Sequence, residues 1–340
     1  MRAGKLTVLS TAHAAVDFAC AALFFGFLKD TEAGWLSMVV YNAFAFMFQL
    51  PIGIFADRLN RNTLLAALGC ALVACAFPLV KMPVLAAVVA GIGNGAFHVG
   101  GGLEVMKGSG DKAGPLGVFV SPGAVGLFLG KFFSAYLSGA WFIPVLAAAA
   151  FAGLIPLLKG ERGFVSENAP VSFKTGRGGA FALAMLFLVV VLRSFLGTTN
   201  AFSTTLLEGA SPLIAGLVPV LLLALGKAAG GFAADLVGPR LTSLVSLGVC
   251  ALLLFFPVTP VFALIALFLF NMTMPITLHE AKRTLPGLKG GAFGLLTFAL
   301  YLGCIPAFIG LETPASPIFF GGSALVSLAL LMLGLGRKRA

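Results

Sequence analysis

His13 and Asp17 stand four residues apart in STAHAAVDFACAALFFGFL, Ser10 to Leu28, a stretch otherwise almost wholly Ala, Val, Phe, Leu and Cys. Residues at i and i+4 share one face of a helix, so the imidazole and the carboxylate point the same way. Such a pair can hold and pass a proton, because histidine titrates near neutral pH and a carboxylate in apolar surroundings can approach that range. Asn94 and His98 repeat the spacing in GIGNGAFHVGGGLEVMK. Arg193 interrupts VVVLRSFLGTTN, where a guanidinium suits an anion. Ionisable groups inside long apolar segments are costly and mark functional sites by default.

The elements that carry these groups follow from composition. The chain is 59% hydrophobic and 10% charged, too few charges to cover a soluble protein of 340 residues. A segment crossing the hydrocarbon layer needs about 20 apolar residues. Such stretches are expected at 6–28, 34–56, 62–80, 83–106, 113–137, 140–158, 179–203, 209–233, 241–258, 260–281, 290–311 and 314–336. The first is read as a spanning helix and not as a removable signal peptide, since it is too long and lacks a small-residue cleavage site. The fold class is thus all-α and polytopic.

Charge placement sets the topology. With the N-terminus in the cytoplasm, the inner side carries Arg2, Lys5, Arg58, Arg61, Lys107, Lys112, Lys159, Arg162, Lys174, Arg177, Arg240, Lys282, Arg283, Lys289, Arg337, Lys338 and Arg339. The outer side carries Lys29 and Lys81. The asymmetry predicts both termini inside and an even number of helices in the cell membrane. It accounts for the net charge of +10 without a nucleic-acid partner. The five cysteines all fall in apolar spans without metal-ligand spacing and read as packing residues. No metal and no cofactor is expected.

Depth follows from the helical rise. His13 lies about 12 Å in from Lys5 and Asp17 about 18 Å in, near the middle of a layer whose half-thickness is about 15 Å. The fourth helix runs the other way, and His98 lies about 13 Å in from Lys107. His98 therefore matches His13 in depth, and Asn94 lies one turn further toward the middle.

The polar interval Lys159–Gly179 splits the chain into a six-helix half at 1–158, a linker at 159–178 and a second half at 179–340. The halves repeat. Gly53 and Asp57 recur as Gly231 and Asp235, each 178 residues later. Asn94, Gly114, Gly117 and Gly126 recur as Asn271, Gly291, Gly294 and Gly303, each 177 residues later. Internal repeats are what transporter folds are built from. By the same shift Asp17 falls beside Arg193, so the first and seventh helices carry an acid and a base at nearly equivalent positions.

The loop Gly53-x-x-x-Asp57-Arg58-x-x-Arg61 resembles the helix 2–3 signature of the major facilitator superfamily, and AGGFAADLVGPR, with Asp235 and Arg240, resembles its degenerate second copy. The aspartate can cap a neighbouring helix N-terminus and pair with an arginine as a cytoplasmic latch. The resemblance implies two pseudo-symmetric six-helix bundles with helices 1, 4, 7 and 10 lining a central cavity. Three stretches narrow it: AHAAVDFACAALFF, GNGAFHVGG and LRSFLGTTNAFSTTLL look like helices 1, 4 and 7 of the fosmidomycin-resistance transporters. Gly117, Gly126 and Gly130 also follow the helix 5 glycine pattern associated with antiporters of the superfamily. The chain departs from that family at Val99-Gly100, where the family has Pro-Glu, and at Lys131, where its pattern continues with Pro.

The resemblance implies proton-coupled export of a small anionic or amphipathic compound by alternating access, the alternative being an uptake symporter or uniporter for a small organic anion or metabolite. His13, Asp17, Asn94, His98, Arg193 and Asn271 are the expected substrate or proton residues. Protonation of Asp17 would loosen an interaction with Arg193. Gly53, Asp57, Arg58, Arg61, Asp235 and Arg240 are the expected cytoplasmic gate. Lys131, near the outer face, is a snorkelling side chain or an outer anion contact. Glu104, His279 and Glu280 are gate or solvent contacts, and Lys227 is close enough to its helix end to reach the surface. No H-E-x-x-H or G-x-S-x-G motif points to an enzyme. The expected partners are protons, a small molecule and the lipid bilayer, with the chain a monomer.

Overall fold

The computed structural model describes residues 1–158, 171–202, 207–314 and 316–335. Residues 159–170 of the expected linker, with Lys159 and Arg162, lie outside them, as do Arg337, Lys338 and Arg339. Among the described residues every regular element is helical. Twelve apolar helices follow in order: α1 (Ala3–Leu28), α2 (Gly34–Leu59), α3 (Asn62–Leu79), α4 (Pro83–Gly108), α5 (Gly114–Phe132), α6 (Phe142–Leu157), α7 (Gly179–Gly197), α8 (Pro212–Val237), α9 (Pro239–Phe255), α10 (Pro260–Thr284), α11 (Lys289–Phe308) and α12 (Pro317–Gly334). All but α6 and α9 are long and apolar enough to cross a membrane.

Helix ends follow local chemistry. Pro83, Pro212, Pro239, Pro260 and Pro317 stand at helix starts, where a missing N–H costs nothing. Ser211 and Ser316 cap α8 and α12 by accepting from the amides of Ile214 and Phe319. The seventh helix stops at Gly197, short of the expected 203. Thr198 and Thr199 there donate their hydroxyls to the carbonyls of Phe195 and Leu196, at 2.7 and 2.8 Å. The fifth helix is interrupted at Ser121 and resumes at Pro122, which cannot donate to the preceding turn. It ends at Phe132, short of the expected 137, and a separate turn of helix covers Ser134–Gly139.

The chain forms two compact units. The first holds Met1–Gly110, Pro122–Ser172 and Gly287–Phe298; the second holds Asp111–Ser121, Phe173–Pro286 and Ala299–Ala340. Leu9, Leu23, Phe97, Leu103 and Met106 fill the core of the first, and Leu116, Phe119, Leu186, Leu196 and Leu247 that of the second. Large apolar side chains also face outward: Leu236 is 84% exposed and Val258 and Ile318 are 78% exposed. Lipid, and not water, accommodates such a surface.

Candidate functional site

In the first unit α1 carries His13 and Asp17 one turn apart, and α4 carries Asn94 and His98 with the same spacing. The depths read from the sequence bring the two pairs together. Nε2 of His13 lies 2.8 Å from Nε2 of His98 and 3.3 Å from Oδ2 of Asp17. Nε2 of His98 lies 3.7 Å from Oδ1 of Asp17, and the Asn94 amide donates to that oxygen at 3.1 Å. His98 Nδ1 is 2.9 Å from the backbone carbonyl of Asn94. A carbonyl only accepts, so Nδ1 carries the hydrogen and Nε2 of a neutral His98 presents its lone pair. The bond between the rings is then a donation from His13 Nε2–H to His98.

Packing fixes the arrangement. The imidazoles meet edge to face with centroids 4.4 Å apart, and the buried Phe97 ring leans on both. Helix α5 closes one side with backbone alone: a Cβ on Gly123 would fall against Nε2 of His13 and 2.5 Å from Oδ2 of Asp17. Three titratable groups sharing hydrogen bonds inside an apolar helix pair can pass a proton among themselves.

In the second unit Arg193 of α7 donates from Nη1 to the Thr277 hydroxyl at 3.4 Å, and it meets no carboxylate among the described residues. Among the described residues most of its five donors thus have no partner, which suits an anion. The partners of Asp17 are His13, His98 and Asn94, whereas the sequence pointed to Arg193. Asn271 donates to the Leu267 carbonyl of its own helix at 2.8 Å. Lys131 stands over the Phe25 ring, 5.1 Å from its centroid, an exposed cation–π contact.

The repeated aspartates serve two helix starts. In the first unit Asp57 accepts from the amides of Gly290 and Gly291, both at 3.0 Å, at the beginning of α11. In the second, Asp235 accepts from Ala113 and Gly114, at 2.7 and 2.9 Å, at the beginning of α5. Each carboxylate satisfies two amides that have no partner within their own helix. The backbone at Gly53 runs directly against the Gly290 carbonyl, and that at Gly231 against Ala113. Arg58, Arg61 and Arg240 make no hydrogen bond or ion pair among the described residues.

Other polar groups were placed less well by sequence. Glu104 is buried and pairs with Lys5, and it accepts from the Asn62 amide at 3.1 Å. Lys5 and Glu104 sit at the same ends of antiparallel helices, which was the available signal. His279 is also buried, with Nε2 3.4 Å from Asp111 and Nδ1 3.2 Å from Glu280. Lys227 donates to the Val120 carbonyl at 3.4 Å, where α5 breaks.

The whole chain is similar in structure to several transporters. It matches the E. coli fucose:proton symporter with a TM-score of 0.68 at 14% identity, over 98% of both chains. A second structure of that transporter, in the outward conformation, matches with a TM-score of 0.64 at 15% identity, over 98% of this chain and 99% of the other. An outward-facing bacterial homologue of the iron transporter ferroportin matches with a TM-score of 0.65 at 14% identity, over 98% of both. No protein-family model and no curated protein matches the chain. The fold is that of the major facilitator transporters, as the loop signature led one to expect.

Proposed function

We propose that this chain, folded as a major facilitator transporter, is a proton-coupled secondary transporter that exports a small anionic or amphipathic compound by alternating access. The observation that carries the proposal is the hydrogen-bonded group of His13, Asp17, Asn94 and His98 inside two apolar helices. A proton arriving there is shared first between the two imidazoles and neutralises the field of Asp17. Arg193, with one hydroxyl partner among the described residues, is the anion clamp. Asp57 and Asp235 hold the starts of α11 and α5 and release them as the halves, 1–158 and 179–340, change access. By the charge asymmetry that end of the molecule is cytoplasmic.

The second reading, uptake by symport, has the fucose:proton symporter likeness on its side, since the same proton group serves either direction. The test begins with a thermal-shift screen of small anions and phosphonates against wild type and Arg193→Ala. A ligand that raises the melting temperature of wild type alone identifies the clamp. Flux of that ligand into proteoliposomes is then driven by an imposed pH gradient, and its sign separates antiport from symport. Gradient-driven flux that persists unchanged in Asp17→Asn refutes the coupling.

A further inference from the structure

We propose that His13, Asp17 and His98 form a binding site for one divalent first-row transition-metal ion, with Nε2 of each histidine and a carboxylate oxygen as ligands. The inference concerns the same residues as the proton site but does not need their role in proton coupling. All three donors lie within 4.8 Å of one another. An ion with bonds of about 2.1 Å sets neighbouring donors about 3.0 Å apart in an octahedral shell and about 3.4 Å in a tetrahedral one. Here the two Nε2 atoms are 2.8 Å apart, and the carboxylate lies 3.3 Å from His13 through Oδ2 and 3.7 Å from His98 through Oδ1, so each oxygen stands near shell distance from one histidine. Two imidazoles and one carboxylate suit zinc, cobalt, nickel, manganese or ferrous ions over magnesium or calcium, which prefer oxygen alone.

The surroundings are those of a built site. His98 is held through Nδ1 by the Asn94 carbonyl, which directs the Nε2 lone pair inward, and the Asn94 amide steadies Asp17. Such outer hydrogen bonds fix the tautomer and ring angle of metal ligands. The Asn94 side-chain oxygen is itself buried with no hydrogen-bond partner among the described residues. A Cβ on Gly123 would fall against Nε2 of His13 and Oδ2 of Asp17 together, so only glycine lets α5 pack its backbone directly against the donors. Three protein ligands leave the remaining coordination positions to water or an anion.

Ion and shared proton exclude each other. Coordination takes the lone pairs of both Nε2 atoms, so the hydrogen on His13 Nε2 must move to Nδ1, and any additional proton must leave. Binding therefore weakens on the acid side. The other titratable groups near the triad are Cys20 on α1 and Tyr41 on α2, which is hydrogen-bonded to Cys20; Gly123 on α5 brings no side chain.

The test uses the full chain in detergent with Co2+ as the probe, read by its visible d–d absorption, and Zn2+ as competitor. One Co2+ per chain, displaced by Zn2+, is expected. His98→Gln and Asp17→Asn should each weaken binding by at least about tenfold, a loss of the size seen when metal shells are damaged. His279→Gln, which alters the other buried histidine, should leave binding unchanged, and thermal melts report that every variant is folded. No cobalt spectrum in folded wild type overturns the site. So does a spectrum that survives His98→Gln, or one lost with His279→Gln. Since binding is read without any gradient, its absence leaves proton coupling standing. Gradient-independent transport in turn leaves the metal site standing.

Discussion

The backbone carbonyl of Asn94 decides the chemistry of His98 more than any charged neighbour does. By accepting from Nδ1 at 2.9 Å it assigns the tautomer, and the Nε2 lone pair then faces His13 and Asp17. The proposed anion clamp, Arg193, differs in kind, since a guanidinium stays charged at any physiological pH. Transport by the proposed scheme is therefore expected to depend on pH through the hydrogen-bonded group of His13, Asp17 and His98, and the profile is taken between about pH 5 and 8. Asp17→Asn should flatten that profile, whereas Arg193→Lys should lower substrate affinity and leave its pH dependence in place. Initial rates across that interval check both. The buried Lys5–Glu104 pair makes a separate prediction. Removing one member of a buried ion pair costs about 3–5 kcal/mol, while replacing both by apolar residues is far milder. Glu104→Ala should lower the melting temperature clearly more than the double variant Lys5→Met, Glu104→Met.

At the scale of elements, α5 approaches α1 so closely that backbone meets backbone. A Cβ on Gly126 would lie 2.9 Å from the Ala14 Cα and against its carbonyl, and neither can move without its helix. Overpacking of this kind costs about 1–3 kcal/mol or more. Gly126→Val should destabilise the protein and disturb the neighbouring triad, which the cobalt spectrum would register. Gly248 of α9 has nothing within 4 Å of its would-be Cβ. Gly248→Ala should be neutral or stabilising by up to about 1 kcal/mol, the helix-propensity difference. Thermal melts of the two variants side by side separate packing from propensity.

For the whole molecule the repeat extends from the sequence to the hydrogen bonding. Asp57 and Asp235, one repeat apart, each hold two amides at the start of a helix, and those helix starts are themselves one repeat apart. Losing such a cap costs about 1 kcal/mol. Asp57→Ala and Asp235→Ala should each destabilise the fold by that order, and the double variant by about the sum, because the two sites share no partner. The expected placement of both termini in the cytoplasm is checked by protease access to terminal tags in inside-out and right-side-out vesicles. Cleavage of one tag alone in either preparation would refute it.

Sequence by itself determined the number and order of the apolar helices, the internal repeat and the depths at which ionisable groups enter the chain. These properties are linear. Hydrophobic length sets a helix, and a rise of about 1.5 Å per residue sets depth. That was enough to align His13 with His98 and to foresee an aspartate capping a helix start. It was not enough to give partners. Asp17 takes His13, His98 and Asn94, and Arg193 takes Thr277, because a buried charge bonds whatever the packing of helices brings within about 3 to 4 Å. Arg58, Arg61 and Arg240, expected at a gate, illustrate the same limit, since their spacing matched a signature but the carboxylates had already found backbone amides. Only the tertiary structure decided that three donors from two helices converge beside a glycine: linear spacing carries no information about distances across a helix interface.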